Sequence, residues 1–572
     1  VYAFLSLIPN ASAWLHGPTH YLTGGTGGDG GQEIWFLGWT ADAISHLHNP
    51  LVTSSANVPK GANLAFMTSM PTLGILGSPF TLIFGPVFTY TGLTAFAFFS
   101  SAASMMFVCR RWVQWLPAAF LAGLLYGFSP DMISQGWGHV FLFSTALFPL
   151  MLLMLDEIII RQTRSPGWLG VLLGILFALQ LGISPELLVD AILLAVIGIL
   201  AIALRFRSQI VERSRYVGHS LLGFAVITIP VSAIYVRSFM EGSGGGLGQY
   251  HTTSTVAGLS ADVANLVSPS TLFRFNFGLG HWTNSLVGFE SNGFHPDPYE
   301  NGAYIGLALL LFIVGAVIIM RKIMTVQIFS FLAIASLLLS LGSTLSIFGV
   351  NTGIPLPFKL LTDLPIFNNS IAIRWSGFMW LFVSLLVALA VEELHIRTRL
   401  LRMGEGSRGF IISAWILLGI GLVALVPLWP YPTSRANVPA WFASGTKRNL
   451  SPAEVLFVFP TVFAPGDSAL PMMWQAVDAF TYRIVGGKFG PQSSSYGALE
   501  SGSELCGLSP TLSEPPSTIE LEARQEMRSV GIGAVVMPPI RSVNRSCAIK
   551  FMNSVTSLTP RLEDGALVWR LR

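Results

Sequence analysis

Asp29 and Glu33 are the first acidic residues of the chain, and their setting could let one of them act as a base. They stand on the glycine-rich stretch Gly24-Gly25-Thr26-Gly27-Gly28-Asp29-Gly30-Gly31-Gln32-Glu33, after an apolar N-terminal segment and before a helix rich in Trp and Phe. Such a loop admits close approach of backbone or substrate. The spacing also has a plainer use, because Asp29-Gly-Gly-Gln32 fits a helix N-terminal capping box. Trp35, Phe36 and Trp39 follow within Ile34 to Leu47, where charges are few. Such rings favour a membrane interface, so this helix is expected to lie flat and hold Asp29 at headgroup depth, with a plain packing helix as the alternative.

A second acidic pair lies in Ser184-Pro185-Glu186-Leu187-Leu188-Val189-Asp190. Ser and Pro mark a helix start, where Glu186 suits the dipole. Asp190 falls one turn deeper inside an apolar run, and two carboxylates at this spacing can bind a cation, orient a sugar hydroxyl or pair with Arg. Asp131 and His139 belong to Ser129-Pro130-Asp131-Met132-Ile133-Ser134-Gln135-Gly136-Trp137-Gly138-His139. His295 and Glu300, with Asp297 between them, belong to a Pro-rich segment that is either a simple turn or part of an acceptor site. Arg237 and Arg374 stand at helix ends, where guanidinium groups suit phosphate and snorkelling toward headgroups serves as well. HExxH and paired CxxC spacings are absent and His46-x-His48 is a weak signal, so no metal site is read, although the carboxylates leave a divalent metal open.

These residues need a membrane scaffold. Of 572 residues, 52% are hydrophobic and 11% charged, and the mean hydropathy is +0.62, far from soluble averages. A net charge of +3 gives no case for nucleic-acid binding. Apolar runs near 1–14, 85–108, 116–131, 139–160, 167–184, 185–205, 217–237, 303–321, 325–344, 372–392 and 409–429 predict a polytopic α-helical protein with about 11 spans. The run 1–14 is read as the end of a first helix, and 71–84, interrupted by Pro and Gly, as a re-entrant or surface segment. Alternate loops carry 14 Lys and Arg against 3 in the opposite loops. By the positive-inside rule, the loops 15–84, 238–302 and 345–371 and everything after Pro430 face outward.

The expected domains are therefore a membrane domain at 1–429 and a small extracytoplasmic α/β domain at 430–572. In the latter, residues 455–459, 481–485 and 533–537 read as strands, 519–530 as an amphipathic helix and 566–572 as an edge strand. Cys506 and Cys547, if outside, are free to form a disulfide.

The order of these parts resembles the GT-C superfamily of membrane glycosyltransferases. More closely, the chain is similar to a group of bacterial, largely actinobacterial, GT-C-like proteins, with some likeness to YfhO-type membrane proteins. The residues behind the resemblance are GDGGQEIWFLGW at 28–39, FSPDMISQGWGH at 128–139, SPELL at 184–188, ENGAYIGL at 300–307 and IPLPFKLLTDLPIFNNSIAIRW at 354–375. The resemblance implies inverting transfer of a sugar from a polyprenyl-phosphate donor to a glycan or glycolipid acceptor of the cell envelope, outside the bacterial plasma membrane. It implies Asp29 as general base. Glu33 is the nearest substitute, since the familiar enzymes often have adjacent acids and here three residues intervene. Arg237 or Arg374 would hold the leaving phosphate, and Asp131, His139, Glu186, Asp190, His295 and Glu300 complete the substrate-binding candidates. No cofactor is implied. The competing classes are a transporter or flippase for an envelope lipid or glycan, and a non-catalytic assembly protein. Ionisable residues gathered at the outer edge and the lack of a visible repeat favour surface chemistry.

Overall fold

A computed structural model describes residues 1–26, 29–205, 210–241, 259–287, 298–362, 364, 367, 370–402, 408–443, 450–451, 454–459, 469–489, 497–508, 517–539 and 544–571. The principal helices are α1 (Asp29–Ser45), α2 (Pro71–Phe84), α3 (Pro86–Cys109), α4 (Leu116–Gly127), α5 (Pro130–Gln135), α6 (Leu147–Leu155), α7 (Pro166–Leu181), α8 (Pro185–Arg205), α9 (Ile210–Glu241), α10 (Leu307–Ile319), α11 (Met324–Ser340), α12 (Trp375–Arg402), α13 (Arg408–Ala424) and α14 (Leu470–Val477). Among the described residues, six helical stretches are long and apolar enough to cross a membrane, and five shorter apolar helices accompany them.

One expectation changes. The stretch 1–14 is not one helix: it forms a helical turn at Tyr2–Leu5 and a second helix at Ala11–His16. Pro9 intervenes, offering no N–H and biasing Ile8 away from helical angles. Residues 71–84, read as a re-entrant or surface segment, form the continuous helix α2, which starts with Pro71, carries Pro79 inside and leaves Leu76, Phe80, Leu82 and Ile83 exposed.

One compact unit comprises Val1–Pro9, Thr94–Ser232 and Gln249–Tyr431. Its centre is α12, which packs on α11 and α4. Trp375, Trp380, Leu385 and Val387 are buried on different sides of α12, as expected of a helix apolar nearly all round. Gly127 allows close approach at the end of α4, since a Cβ there would lie 2.5 Å from Ala102 of α3.

The second unit comprises Asn10–Leu93, Ala233–Gly248 and Pro432–Arg572. The C-terminal residues thus share a unit with residues 10–93, which the sequence alone assigns to the membrane domain at 1–429. Tyr21–Thr23 pairs antiparallel with Thr433–Arg435. The unit holds a sheet of β1 (Val455–Val458), β2 (Arg483–Ile484), β3 (Ala534–Met537), β4 (Arg561–Glu563) and β5 (Ala566–Arg570), in the order β4-β5-β3-β1-β2. β1 and β3 are parallel and wholly buried, which explains their unbroken apolar runs. The C-terminal strand β5 is not the edge. β4 pairs outside it through Asp564-Gly565, both at positive φ, a turn chemistry suited to a tight hairpin. A Cys506–Cys547 disulfide joins the helices Gly497–Leu508 and Arg545–Thr556.

In this unit α1 packs on α2 and α14. Ile34, Trp35 and Leu37 are fully buried, and Trp35 Nε1 donates to Gln475 Oε1 at 2.8 Å. The expected flat interfacial helix is therefore a core helix: its rings meet protein, with Phe480 and Phe489 edge-on to Trp35. The glycines also serve packing. A Cβ at Gly30 or Gly31 would lie 2.7 or 2.1 Å from the carbonyl oxygens of Gly25 and Thr26, so they admit the loop's own backbone.

Candidate functional site

In the first unit, four short segments bring charged side chains together. Ser129 caps α5 by accepting from Met132 N at 3.2 Å, and Pro130 takes the first helical position. This places Asp131 in the first turn, buried, where Ser376 Oγ donates to Oδ1 at 2.7 Å. Gly302 and Gly377 leave room for that carboxylate, since a Cβ would fall 2.4 Å from Oδ1 at the former and 2.8 Å from Oδ2 at the latter.

Gln135, one turn beyond, links two further candidates. Its Nε2 donates to Glu300 Oε2 at 2.7 Å, which turns Oε1 toward His139 Nδ1 at 2.8 Å. An amide oxygen only accepts, so this network assigns the hydrogen to His139 Nδ1. Glu300 ends the turn Pro298–Glu300, and Asn301 N donates to Ser134 Oγ at 2.8 Å, pinning that turn to α5.

Arg374 ends the turn Ala372–Arg374 that leads into α12. Nη1 donates to Glu186 Oε2 at 2.6 Å and Nη2 to Glu300 Oε1 at 2.8 Å, while the buried Nε has no hydrogen-bond partner among the described residues. Glu186 also accepts from Ile371 N at 3.3 Å, and Ser370 Oγ donates to both oxygens of the buried Asp190 at 3.0 and 3.2 Å. Burial works against the Glu300 carboxylate, yet the Arg374 guanidinium, with His139 and Gln135, holds its carboxyl below the ordinary value.

Four candidates, Glu186, Glu300, Arg374 and His139, are thus joined directly or through Gln135; Asp131 stands one turn before Gln135 on α5, and Asp190 lies one turn behind Glu186 on α8. Glu186 is 18% exposed and Arg374 10%, so this pair is the edge a ligand can reach. Behind it a cavity of about 20 Å³, lined by Asp131, Gln135 and Arg374 among others, has room for one water molecule. Both Arg374 Nη groups already bind carboxylates, which leaves little for a phosphate. Carboxylates and amides at such an edge suit hydroxyl groups.

The remaining candidates lie elsewhere. Asp29 is the first residue of α1, inside the helix rather than its cap, and pairs with Lys488 in the second unit. Asp29 is 42% exposed and Lys488 30%. Gln32 does not complete a box with Asp29 as cap, because its Nε2 donates to Lys488 O at 2.5 Å. Glu33, one turn on, is sealed at 2%, so of the two acids only Asp29 is accessible. Arg237 lies exposed on α9 and belongs to the second unit. His295 and Asp297 fall outside the described residues.

Sequence reasoning missed Ser370, Ser376, Gln135 and Lys488. The first three stand within or beside motifs already singled out, whereas nothing around Lys488 marks it. Among the described residues no three His, Cys, Asp or Glu are placed to hold a metal, so no step is derived through one.

Residues 3–404 match the model of a family described as a domain of unknown function (DUF6311). The chain belongs to this family. No curated protein matches it. Among solved structures, arabinofuranosyltransferase AftD from Mycobacteria aligns with a TM-score of 0.53 at 12% identity, over 100% of this chain and 39% of the AftD chain. ArnT from Cupriavidus metallidurans bound to undecaprenyl phosphate gives 0.44 at 11% identity, over 99% of this chain and 96% of that one. AglB from Archaeoglobus fulgidus, in complex with an inhibitory peptide and a dolichol-phosphate, gives 0.43 at 13% identity, over 94% and 67%. The DUF6311 chain shares its fold with AftD and spans 39% of the AftD length.

Proposed function

We propose that this chain is an inverting membrane glycosyltransferase. It moves a sugar from a polyprenyl-phosphate donor to a glycan or glycolipid acceptor outside the bacterial plasma membrane. The observation that carries the reading is the accessible Asp29 carboxylate beside Lys488 on a fold shared with AftD. In the first unit, Arg374 holds Glu186 and Glu300 in fixed positions, where carboxylates accept hydrogen bonds from hydroxyls.

Asp29 is the proposed base. It takes the proton of the acceptor hydroxyl as that oxygen bonds to the anomeric carbon. The carbon–oxygen bond to phosphate breaks, and the electron pair leaves with polyprenyl phosphate. One displacement inverts the centre. Lys488, already beside Asp29, supplies a cation for the departing phosphate, a better candidate than Arg374 with its two carboxylates. The outward placement of residues 430–572 draws support from the Arg and Lys asymmetry and from the Cys506–Cys547 bond, which suits an oxidising compartment.

The test is release of polyprenyl phosphate from lipid-linked sugars by the purified protein. Asp29→Asn is expected to lower turnover by about 10²–10⁴-fold. Full activity in that variant would remove Asp29 from the base role, and no turnover by wild type across a panel of donors would remove the enzyme.

A further inference from the structure

The first unit contains a second, larger space that the proposed chemistry does not use. Its volume is about 430 Å³, within the range of about 300–1,000 Å³ typical of ligand pockets. Its walls come from α6, α7, α8, α9, α11 and α12, and they are apolar apart from Asp156 and Thr325. Along α8 the lining runs from Leu188 to Ile202. At about 1.5 Å per residue that is roughly 21 Å, against a hydrocarbon core about 30 Å thick. The space is therefore long and chain-shaped. Ile192, Val196 and Ile199 of α8 and Leu221 of α9 line it and are also exposed, so it opens laterally where a bilayer would lie.

Its two ends differ in charge. At one end Phe148 and Phe378, edge-on to each other, separate it from the cavity of Asp131 and Arg374, where one guanidinium is bound between two carboxylates. At the other end the lining is Asp156, Ile159 and Ile160 of the π-helical turn Asp156–Arg161. Three arginines converge there. Arg111 Nε and Arg161 Nε reach Asp156 Oδ2 at 2.9 and 3.3 Å, and Arg213 Nη1 donates to Ile159 O at 3.0 Å. Arg111 also pairs with Glu157, so the two acids of the turn are met by two arginines. Arg110, Arg164 and Arg215, next in sequence to or near these residues, are exposed, and with the exposed acid Glu212 among them they still leave a net positive charge.

We infer that this chamber binds one acyl chain of an anionic phospholipid, whose phosphate lies against the Arg161 end. Charge complementarity selects the occupant: an anionic head is attracted to the arginine-rich end and repelled by the carboxylates at the other. The lipid comes from the leaflet facing the arginine-rich loops, where anionic lipids concentrate. Filling the slot with a chain supplies contacts that α8 and α9 otherwise lack, since these are the two least buried of the six long apolar stretches.

The full chain, purified in detergent, would be titrated with dioleoyl phosphatidylglycerol, dioleoyl phosphatidylcholine and a polyprenyl phosphate, with retained lipid read by native mass spectrometry. Phosphatidylglycerol is expected to be retained over phosphatidylcholine. Replacing Arg161→Gln and Arg164→Gln should weaken its retention by about fivefold per arginine. Ala195→Phe, which fills the middle of the slot, should abolish retention of both phospholipids. Should that variant not fold, a phosphatidylglycerol with brominated chains should quench a Trp112 signal, read as the difference from Trp112→Phe. Equal retention of the two phospholipids would overturn the inference. So would retention unchanged by Ala195→Phe, or stronger retention of polyprenyl phosphate that ignores Arg161→Gln. None of these readouts needs turnover, so the lipid site and the glycosyl transfer stand or fall separately.

Discussion

Arg374→Gln should destabilise the protein and reverse the sign of part of its pH dependence. The substitution removes two charge-assisted hydrogen bonds, at 2.6 Å to Glu186 and 2.8 Å to Glu300. At about 1.5–3 kcal/mol each, that is about 3–6 kcal/mol. Breaking a buried ion pair by removing one partner costs about 3–5 kcal/mol, because the other charge stays behind. Glu186 is partly exposed and recovers some hydration, so the expected loss is about 3–4 kcal/mol, most of it from Glu300.

In wild type the folded Glu300 carboxyl titrates below its ordinary value. Its contribution is present above the unfolded value, about 4.3, and is lost as pH falls through the folded one. Without Arg374, burial dominates and the folded value rises above the unfolded one. Acidification should then relieve the variant, by up to about 1.4 kcal/mol per pH unit for one proton. The assay is denaturant unfolding in detergent of wild type, Arg374→Gln and Arg374→Gln/Glu300→Gln, from pH 7 to pH 4. The double variant should recover more than half of the loss at pH 7. A loss below about 1 kcal/mol, or a wild-type–variant gap that does not narrow on acidification, would refute a buried charge network here.

Gly302→Ala should force apart Asp131 and Ser376, because its Cβ would lie 2.4 and 2.7 Å from their oxygens. A stability loss of about 1–3 kcal/mol together with reduced glycosyl transfer is expected, and an unchanged unfolding midpoint would mean that the two segments are not so tightly apposed. Trp35→Ala should cost about 3–5 kcal/mol, since Trp35 is fully buried in the protein. A negligible cost combined with wild-type Trp35 quenching by membrane-embedded probes would restore the interfacial helix. Cys506→Ser/Cys547→Ser opens a bond across 41 residues and should cost up to about 4 kcal/mol, read as a lower denaturant midpoint that reductant no longer shifts.

Local chemistry made much of this molecule legible. Apolar runs and loop charges marked the membrane class, because an unpaired backbone or charge in hydrocarbon is costly whatever the fold. The buried strands β1 and β3 announced themselves by continuous apolar runs. Ser-Pro-Glu and Ser-Pro-Asp marked the two helix starts that carry Glu186 and Asp131, since capping is decided within one turn. Asp190 stood out as an acid in an apolar run one turn beyond Glu186, and its hydrogen-bond donor, Ser370, comes from a segment 180 residues away.

What lay beyond one or two turns was decided by tertiary packing. Trp35 and Trp39 carry the same sequence signal whether their rings meet a membrane interface or a protein core, and only α2 and α14 settled the matter. The join of residues 10–93 to the C-terminal chain rests on pairings more than 400 residues apart, such as Tyr21 with Arg435, which no local pattern encodes. Glu186, Glu300 and Arg374 were each visible as candidates. That they form one clamp, while Asp29 belongs with Lys488, follows from which distant surfaces the chain buries together.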